Sequence, residues 1–265
     1  MRNGNPELKA GALLCLLIAG MSVVGIFYLP YGINEIESGR RFLPPQGQHL
    51  LGTDNFGRDL FSRIMAGGKY TLLVAILTVA GSAFAGSVLG LASGYAGGIW
   101  DEITMRLMDA LSSFPGILLA LMMTALFGSS GPALVAALLV LFIPGFVRIT
   151  RSGALQYRRR DFVLTAEILG ASPCRILFSH ILPNLTPSLL SAGALGLSNA
   201  ILAEAAMSYL GLGIQPPIPS WGRMLAESQI FLFNAPWCAL APGMMIMLAV
   251  LAFHILGEGI RRRYC

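Results

Sequence analysis

Six apolar stretches, each near the ~20 residues a bilayer-spanning helix needs, divide this chain and fix its solvent before anything else is known. They run Leu8–Leu29, Tyr70–Tyr95, Ile103–Phe127, Pro132–Ile149, Pro187–Met207 and Pro236–Leu256. Lipid accepts only helices or closed barrels, because every backbone N–H and C=O must find its partner inside the chain. Charged residues make up 12% and the mean hydropathy is +0.70, too little polar surface to face water. A disordered segment, a secreted disulfide scaffold and an ordinary soluble enzyme are excluded on that ground. The expected fold is all-α: a polytopic membrane protein of six helices. The first stretch exceeds the ~7–15 residues of a signal-peptide core and is read as an uncleaved anchor.

The cations orient the bundle. With six spans, the termini share one side with segments 96–102 and 150–186. That side collects twelve of the eighteen Lys and Arg: Arg2, Lys9, Arg106, Arg148, Arg151, Arg158, Arg159, Arg160, Arg175, Arg261, Arg262 and Arg263. The other side holds Arg40, Arg41, Arg58, Arg63, Lys69 and Arg223. Basic flanks stay in the cytoplasm, so both termini are expected there, and the net charge of +5 calls for no nucleic acid. Gly86, Gly90 and Gly94 stack on one face of the second span. That stripe suits either a contact inside a moving bundle or static packing. Pro115 and Pro144 fall inside the third and fourth spans and permit kinks there.

Several chemistries are missing. A phosphate-binding loop needs G-x-x-x-x-G-K-[ST]. Lys9 follows Leu8, and Lys69 precedes Tyr70 with Arg63 where the first Gly should stand. No nucleotide or other cofactor is expected, so any ATP that drives this protein binds another subunit. The G-x-S-G of intramembrane serine proteases fails because Leu91 precedes Ser93 by two, although His254 lies in a later span; no catalytic residue is expected. Asp109, Glu204 and His254 are too few for a proton relay. Cys15, Cys174, Cys238 and Cys265 form no C-x-x-C, so neither a disulfide nor a metal site is expected.

The segment RSGALQYRRRDFVLTAEILGASPCRILFSHILPN joins the fourth and fifth spans. It reads as two short helices. Asp161 is a candidate cap for Phe162–Leu169. Gly170 supplies the break, and Pro173 opens a second helix, Cys174–Leu182, that is expected to stop at Pro183. Phe162, Ile168 and Leu169 leave apolar groups on a cytoplasmic surface, as a docking hairpin or an interfacial one would. Here the sequence resembles the permease subunits of bacterial ABC importers, whose signature is an EAA triad, a Gly four residues after its last Ala, and a closing I-x-x-P-like turn. Ala166 matches the last Ala, Gly170 the Gly, and His180 to Pro183 the ending. Leu164 and Thr165 stand at the first two triad positions, and Glu167 is displaced, because helix neighbours point about 100° apart.

Further segments resemble the dipeptide/oligopeptide/nickel permease family: LGTDNFGRDLFSR (51–63), MDALSSFPGILLA (108–120), LAEAAMSYLGLG (202–213), PSWGRML (219–225) and GEGIRRR (257–263). The resemblance implies an importer permease with the fold of that class, of the "C" type. It would pair with a second, homologous permease, two cytoplasmic ATPase subunits and an extracytoplasmic substrate-binding protein. Ala166, Gly170, His180 and Pro183 would then couple to the ATPase. Thr53, Asp54, Gly57, Arg58, Asp59, Trp221 and Arg223 would form an outer gate or a binding-protein contact. By its own physics, Asp54 can cap a helix near Gly57 whose apolar face is Leu60, Phe61, Ile64 and Met65. That helix either steers the chain into the second span or forms part of the gate.

The chain is divided into 1–69, an N-terminal anchor with an external loop and amphipathic helix, and 70–265, a five-helix permease core carrying the cytoplasmic loop 150–186. The expected function is translocation of peptides or nickel chelates across a bacterial inner membrane; the alternative is an ATP-independent carrier. Glu204 is the one in-span acid near the outer side. It is expected either to pair with Arg58, Arg63 or Arg223, or to meet a cationic substrate.

Overall fold

The computed structural model describes residues 6–264, so Arg2 and Cys265 lie outside the described residues. Among those described there is no strand, only an isolated bridge between Thr53 and Asp59. Five helices are long and apolar enough to cross a membrane: α1 (Pro6–Phe27), α2 (Leu60–Ala96), α5 (Gly131–Tyr157), the run Pro173–Tyr209 and α10 (Trp237–Tyr264). The sixth expected span is broken. It consists of α3 (Gly98–Ser113) and α4 (Gly116–Phe127), which meet at 91°. Pro115 is the cause: a residue before proline is pushed out of helical dihedrals. Phe114 accordingly sits extended at φ −81°, ψ 136°. Pro144, by contrast, stays inside an unbroken α5. α3 leans on α5 through Asp101–Arg151 at 2.5 Å and Asp109–Arg148 at 2.9 Å.

α2 is the axis of the bundle, packing against α1, α5 and α8 (Leu182–Tyr209). Its 37 residues make a rod of about 55 Å, well beyond the ~30 Å hydrocarbon core. Leu60, Phe61, Ile64 and Met65 are therefore its first turns, not a separate helix, and α2 passes the expected 69/70 boundary unbroken. The glycine stripe faces α5. A Cβ on Gly86 would stand 2.5 Å from Phe146 Cβ, and one on Gly94 would stand 2.8 Å from the Arg151 carbonyl. Thr150 of α5 reaches across and donates to the Gly86 carbonyl at 3.1 Å.

The second helix of the cytoplasmic segment does not stop at Pro183. α7 (Pro173–Arg175) runs through a π-turn, Ile176–Ile181, directly into α8. The wider turn, with Leu182 N–H donating to the Leu177 carbonyl, lets the chain pass a residue that has no N–H of its own. Asn184 Nδ2 donates to the His180 carbonyl at 2.6 Å as the backbone changes register.

Candidate functional site

Two polar assemblies stand at opposite ends of the bundle. The first, the cap, grows from residues 51–63. Asp54 Oδ1 accepts from Phe56 N–H at 2.8 Å and Arg58 N–H at 3.0 Å, closing a tight turn. Gly57 completes the turn at φ +80°, a conformation open to glycine, and the Glu37 backbone lies where its Cβ would be. The helix cap is Asp59, not Asp54. Its Oδ2 accepts from Ser62 N–H at 2.8 Å, while Oδ1 holds His49 Nδ1 at 2.9 Å. Thr53 ties the loop down. Its hydroxyl donates to the Arg40 carbonyl, and its own carbonyl accepts from Trp237 Nε1 at 3.3 Å.

Above α2, the arginines share two carboxylates. Arg58 Nε lies 2.6 Å and Arg63 Nε 3.8 Å from Asp54 Oδ2. Both also reach Glu227 Oε2, at 3.4 and 3.5 Å, and Arg223 Nε meets Glu227 Oε1 at 3.1 Å. Glu227 belongs to α9 (Trp221–Ser228) and went unread in the sequence. The spacing Arg223 to Glu227, one helical turn, was the signal for it.

Glu204 does not take part. Its side chain has no exposed surface, and among the described residues no Lys or Arg nitrogen lies within 4 Å of its carboxylate. The expected arginine pair is thus corrected: Asp54 and Glu227 hold all three candidates. Ser208 donates to Glu204 Oε1 at 2.7 Å, and the hydroxyls of Thr71 and Ser220 act on the same carboxylate. Its Oε2 has no donor at full hydrogen-bond geometry. The acid thus sits where α2, α8 and the Ser220 cap of α9 meet. Trp221 is also corrected. It is fully buried, donates from Nε1 to the Ile64 carbonyl at 2.9 Å, and offers nothing to a partner. Thr53, Asp54, Gly57 and Asp59 are likewise buried in the cap, and only Arg58 and Arg223 keep part of their surface.

The second assembly is the hairpin that follows α5. α6 (Asp161–Ile168) opens with Asp161 inside the helix. Arg160 occupies the cap position without a side-chain bond, so the expected Asp161 cap is not formed. The C-terminus closes with Ala171 N–H donating to the Ala166 carbonyl at 2.9 Å and Gly170 N–H to the Glu167 carbonyl at 3.0 Å. This pair of hydrogen bonds requires the left-handed residue that Gly170 supplies at φ +79°. Val163 and Ala166 bury one face of α6 against Leu91, Ala154, Ile176 and Leu185. The tip is apolar and bare: Ile168 is 86% exposed and Leu169 80%. His180 is half-buried in the π-turn and Pro183 is exposed just beyond it. The sequence reading missed Tyr95 and Arg158, which sit beside the hairpin, and no local pattern marks them.

The chain matches the family described as binding-protein-dependent transport system inner membrane component over residues 86–264. It is 40% identical over 227 residues to the dipeptide transport system permease protein DppC of Alkalihalophilus pseudofirmus, covering 86% of this chain and 75% of that protein. It is 38% identical over 253 residues to the glutathione transport system permease protein GsiD of Pectobacterium atrosepticum, covering 95% and 84%. It is 35% identical over 261 residues to the probable D,D-dipeptide transport system permease protein DdpC of Escherichia coli, covering 98% and 88%.

Proposed function

This chain belongs to the binding-protein-dependent inner-membrane permeases of ABC importers, and from that premise we propose that its cargo is a di- or oligopeptide and that the exposed hairpin tip is where ATP-driven closure reaches the membrane. Membership makes it a multi-pass transport subunit that works in a complex, and removes the reading as an ATP-independent carrier. The names of its relatives favour peptides over nickel chelates as cargo. The proposed partners are a second homologous permease, two cytoplasmic ATPases and an extracytoplasmic binding protein, with both termini of this chain in the cytoplasm. ATP hydrolysis belongs to the ATPases; this subunit shapes half of the path.

The observation that carries the coupling role is the bare tip. Two adjacent apolar side chains held in water by a fixed glycine turn are costly unless a partner covers them. Ala166 and Gly170 set the angle of the tip, and His180 and Pro183 lie where the hairpin passes into α8. In the proposed arrangement the cap faces the binding protein, with Arg58 and Arg223 as its accessible cations and Thr53, Asp54, Gly57, Asp59 and Trp221 as its framework. The test is a substitution at the tip. Ile168→Asp should lower peptide uptake at least tenfold and weaken retention of the ATPases on purification, with insertion unchanged. Uptake and ATPase retention both at the level of the unmodified protein would sink the reading.

A further inference from the structure

The acidic residue of α6 stands three residues beyond the position where the family signature would place it. On the helix 163 neighbours 166 and 167, and 164 neighbours 167 and 168, so 167 lies at the border between the two faces. Val163 and Ala166 are buried, whereas Leu164 is 44% and Ile168 86% exposed. A glutamate at position 164 would have pointed outward with the tip. Glu167 is itself exposed, at the edge of the buried face, and there it meets α2: Tyr95 Oη donates to Glu167 Oε1 at 2.8 Å.

Tyr95 is itself pinned from a third helix. Arg158, the residue that ends α5, donates from Nη1 to the Tyr95 carbonyl at 2.7 Å. Its guanidinium lies 5.2 Å from the centroid of the Tyr95 ring. That carbonyl belongs to the last turn of α2, where acceptors have no intrahelical donor, so the arginine fills a real vacancy. A cation over the face of a tyrosine adds to the hold. Immediately after it, Gly97 and Gly98 adopt φ +67° and +60° and turn the chain away into α3. Three elements, α2, α5 and α6, thus converge on one phenol.

We propose that Glu167, Tyr95 and Arg158 form a positioning clamp that makes the hairpin move together with α2 and α5. This rests on the reading of the hairpin as the ATPase contact. The apolar face of α6 is small, with two buried side chains, and apolar contact is non-directional, so it resists compression better than sliding. A hairpin that must be drawn back as well as pushed in needs a directional bond, and the phenol–carboxylate bond is the one that joins α6 to the axis of the bundle. Leu164 meanwhile adds apolar surface to the outward face.

The experiment uses the complete complex in proteoliposomes and reads peptide imported per ATP hydrolysed. Tyr95→Phe and Glu167→Ala should each lower that ratio about threefold or more, by letting hydrolysis proceed without import. The double variant should be no worse than either single one, because both remove the same bond. Glu167→Gln, whose amide oxygen still accepts from the phenol, should restore most of the ratio. Unchanged ratios, additive losses, or a Gln variant as poor as the Ala variant would each overturn the clamp. Ile168→Asp separates the two ideas. If it abolishes uptake while the clamp variants are normal, the hairpin reading stands and the clamp fails. If it is without effect, the hairpin reading has failed, and the clamp falls with it.

Discussion

A carboxylate with no exposed surface inside a spanning helix must be held by a donor, and Glu204 is held by the Ser208 hydroxyl, not by an arginine. The Ser208 bond, with the Thr71 and Ser220 hydroxyls beside the same carboxylate, holds one oxygen without a second buried charge, which avoids desolvating a guanidinium as well. Replacement should therefore be graded by what it leaves unpaired. Glu204→Gln keeps an acceptor for Ser208 and should cost about 1 kcal/mol, whereas Glu204→Leu strands the buried hydroxyls and should cost about 3 kcal/mol or more. Thermal melting of the purified complex would measure both. Neutralising Arg58, Arg63 or Arg223 should rescue neither variant; rescue by any of them would restore the ion pair that the geometry rejects.

At the scale of elements, the glycine stripe of α2 is a helix–helix contact within the chain. The Cβ added by Gly90→Ala would overlap the Thr150 hydroxyl and the Val147 carbonyl of α5. Backbone cannot withdraw as a flexible side chain can, so the variant should lose about 1–3 kcal/mol or fail to assemble. Gly20 of α1 has nothing within 4 Å of its Cβ position, and there alanine should be neutral or stabilising by about 0.5–1 kcal/mol. A melting temperature that falls equally for both would show that the close approach of α2 and α5 is not what the stripe provides. The turn at Gly170 is different again: nothing crowds its Cβ, and its requirement comes from φ alone.

For the whole molecule, the arrangement follows from polarity. The cap gathers Arg58, Arg63 and Arg223 at one end, and the hairpin carries Arg158, Arg159, Arg160 and Arg175 at the other. In a background free of cysteine, Ser38→Cys and Gln229→Cys should react with an impermeant thiol reagent added to intact cells, and Gln156→Cys should not. Ser38 and Gln229 are accessible positions in the cap region, so protection there would be topological and not steric. Labelling at 156 from outside would invert the bundle and with it the proposed side of the ATPases.

The number of apolar stretches, the all-helical class and the Gly170 turn were legible in the sequence because each depends on a short window. Transfer to lipid is settled by about 20 consecutive residues, and a left-handed turn by one residue. What lay beyond reach was partner choice. The expense of a buried charge says that Glu204 must be paired, but not whether an arginine or a serine hydroxyl arrives first. Pro115 announced a kink without its 91° or its direction. Pro183 looked like a stop, because a π-turn that absorbs a proline is set by the register of the packed helix and not by composition. Trp221 was expected at an outer gate or a binding-protein contact, and only the packing of α9 onto α2 and α8 buried it. The bond from Tyr95 to Glu167 spans 72 residues, so it exists only once α2 and α6 have been brought together. Sequence set what each segment could tolerate, and tertiary contact set which neighbour satisfied it.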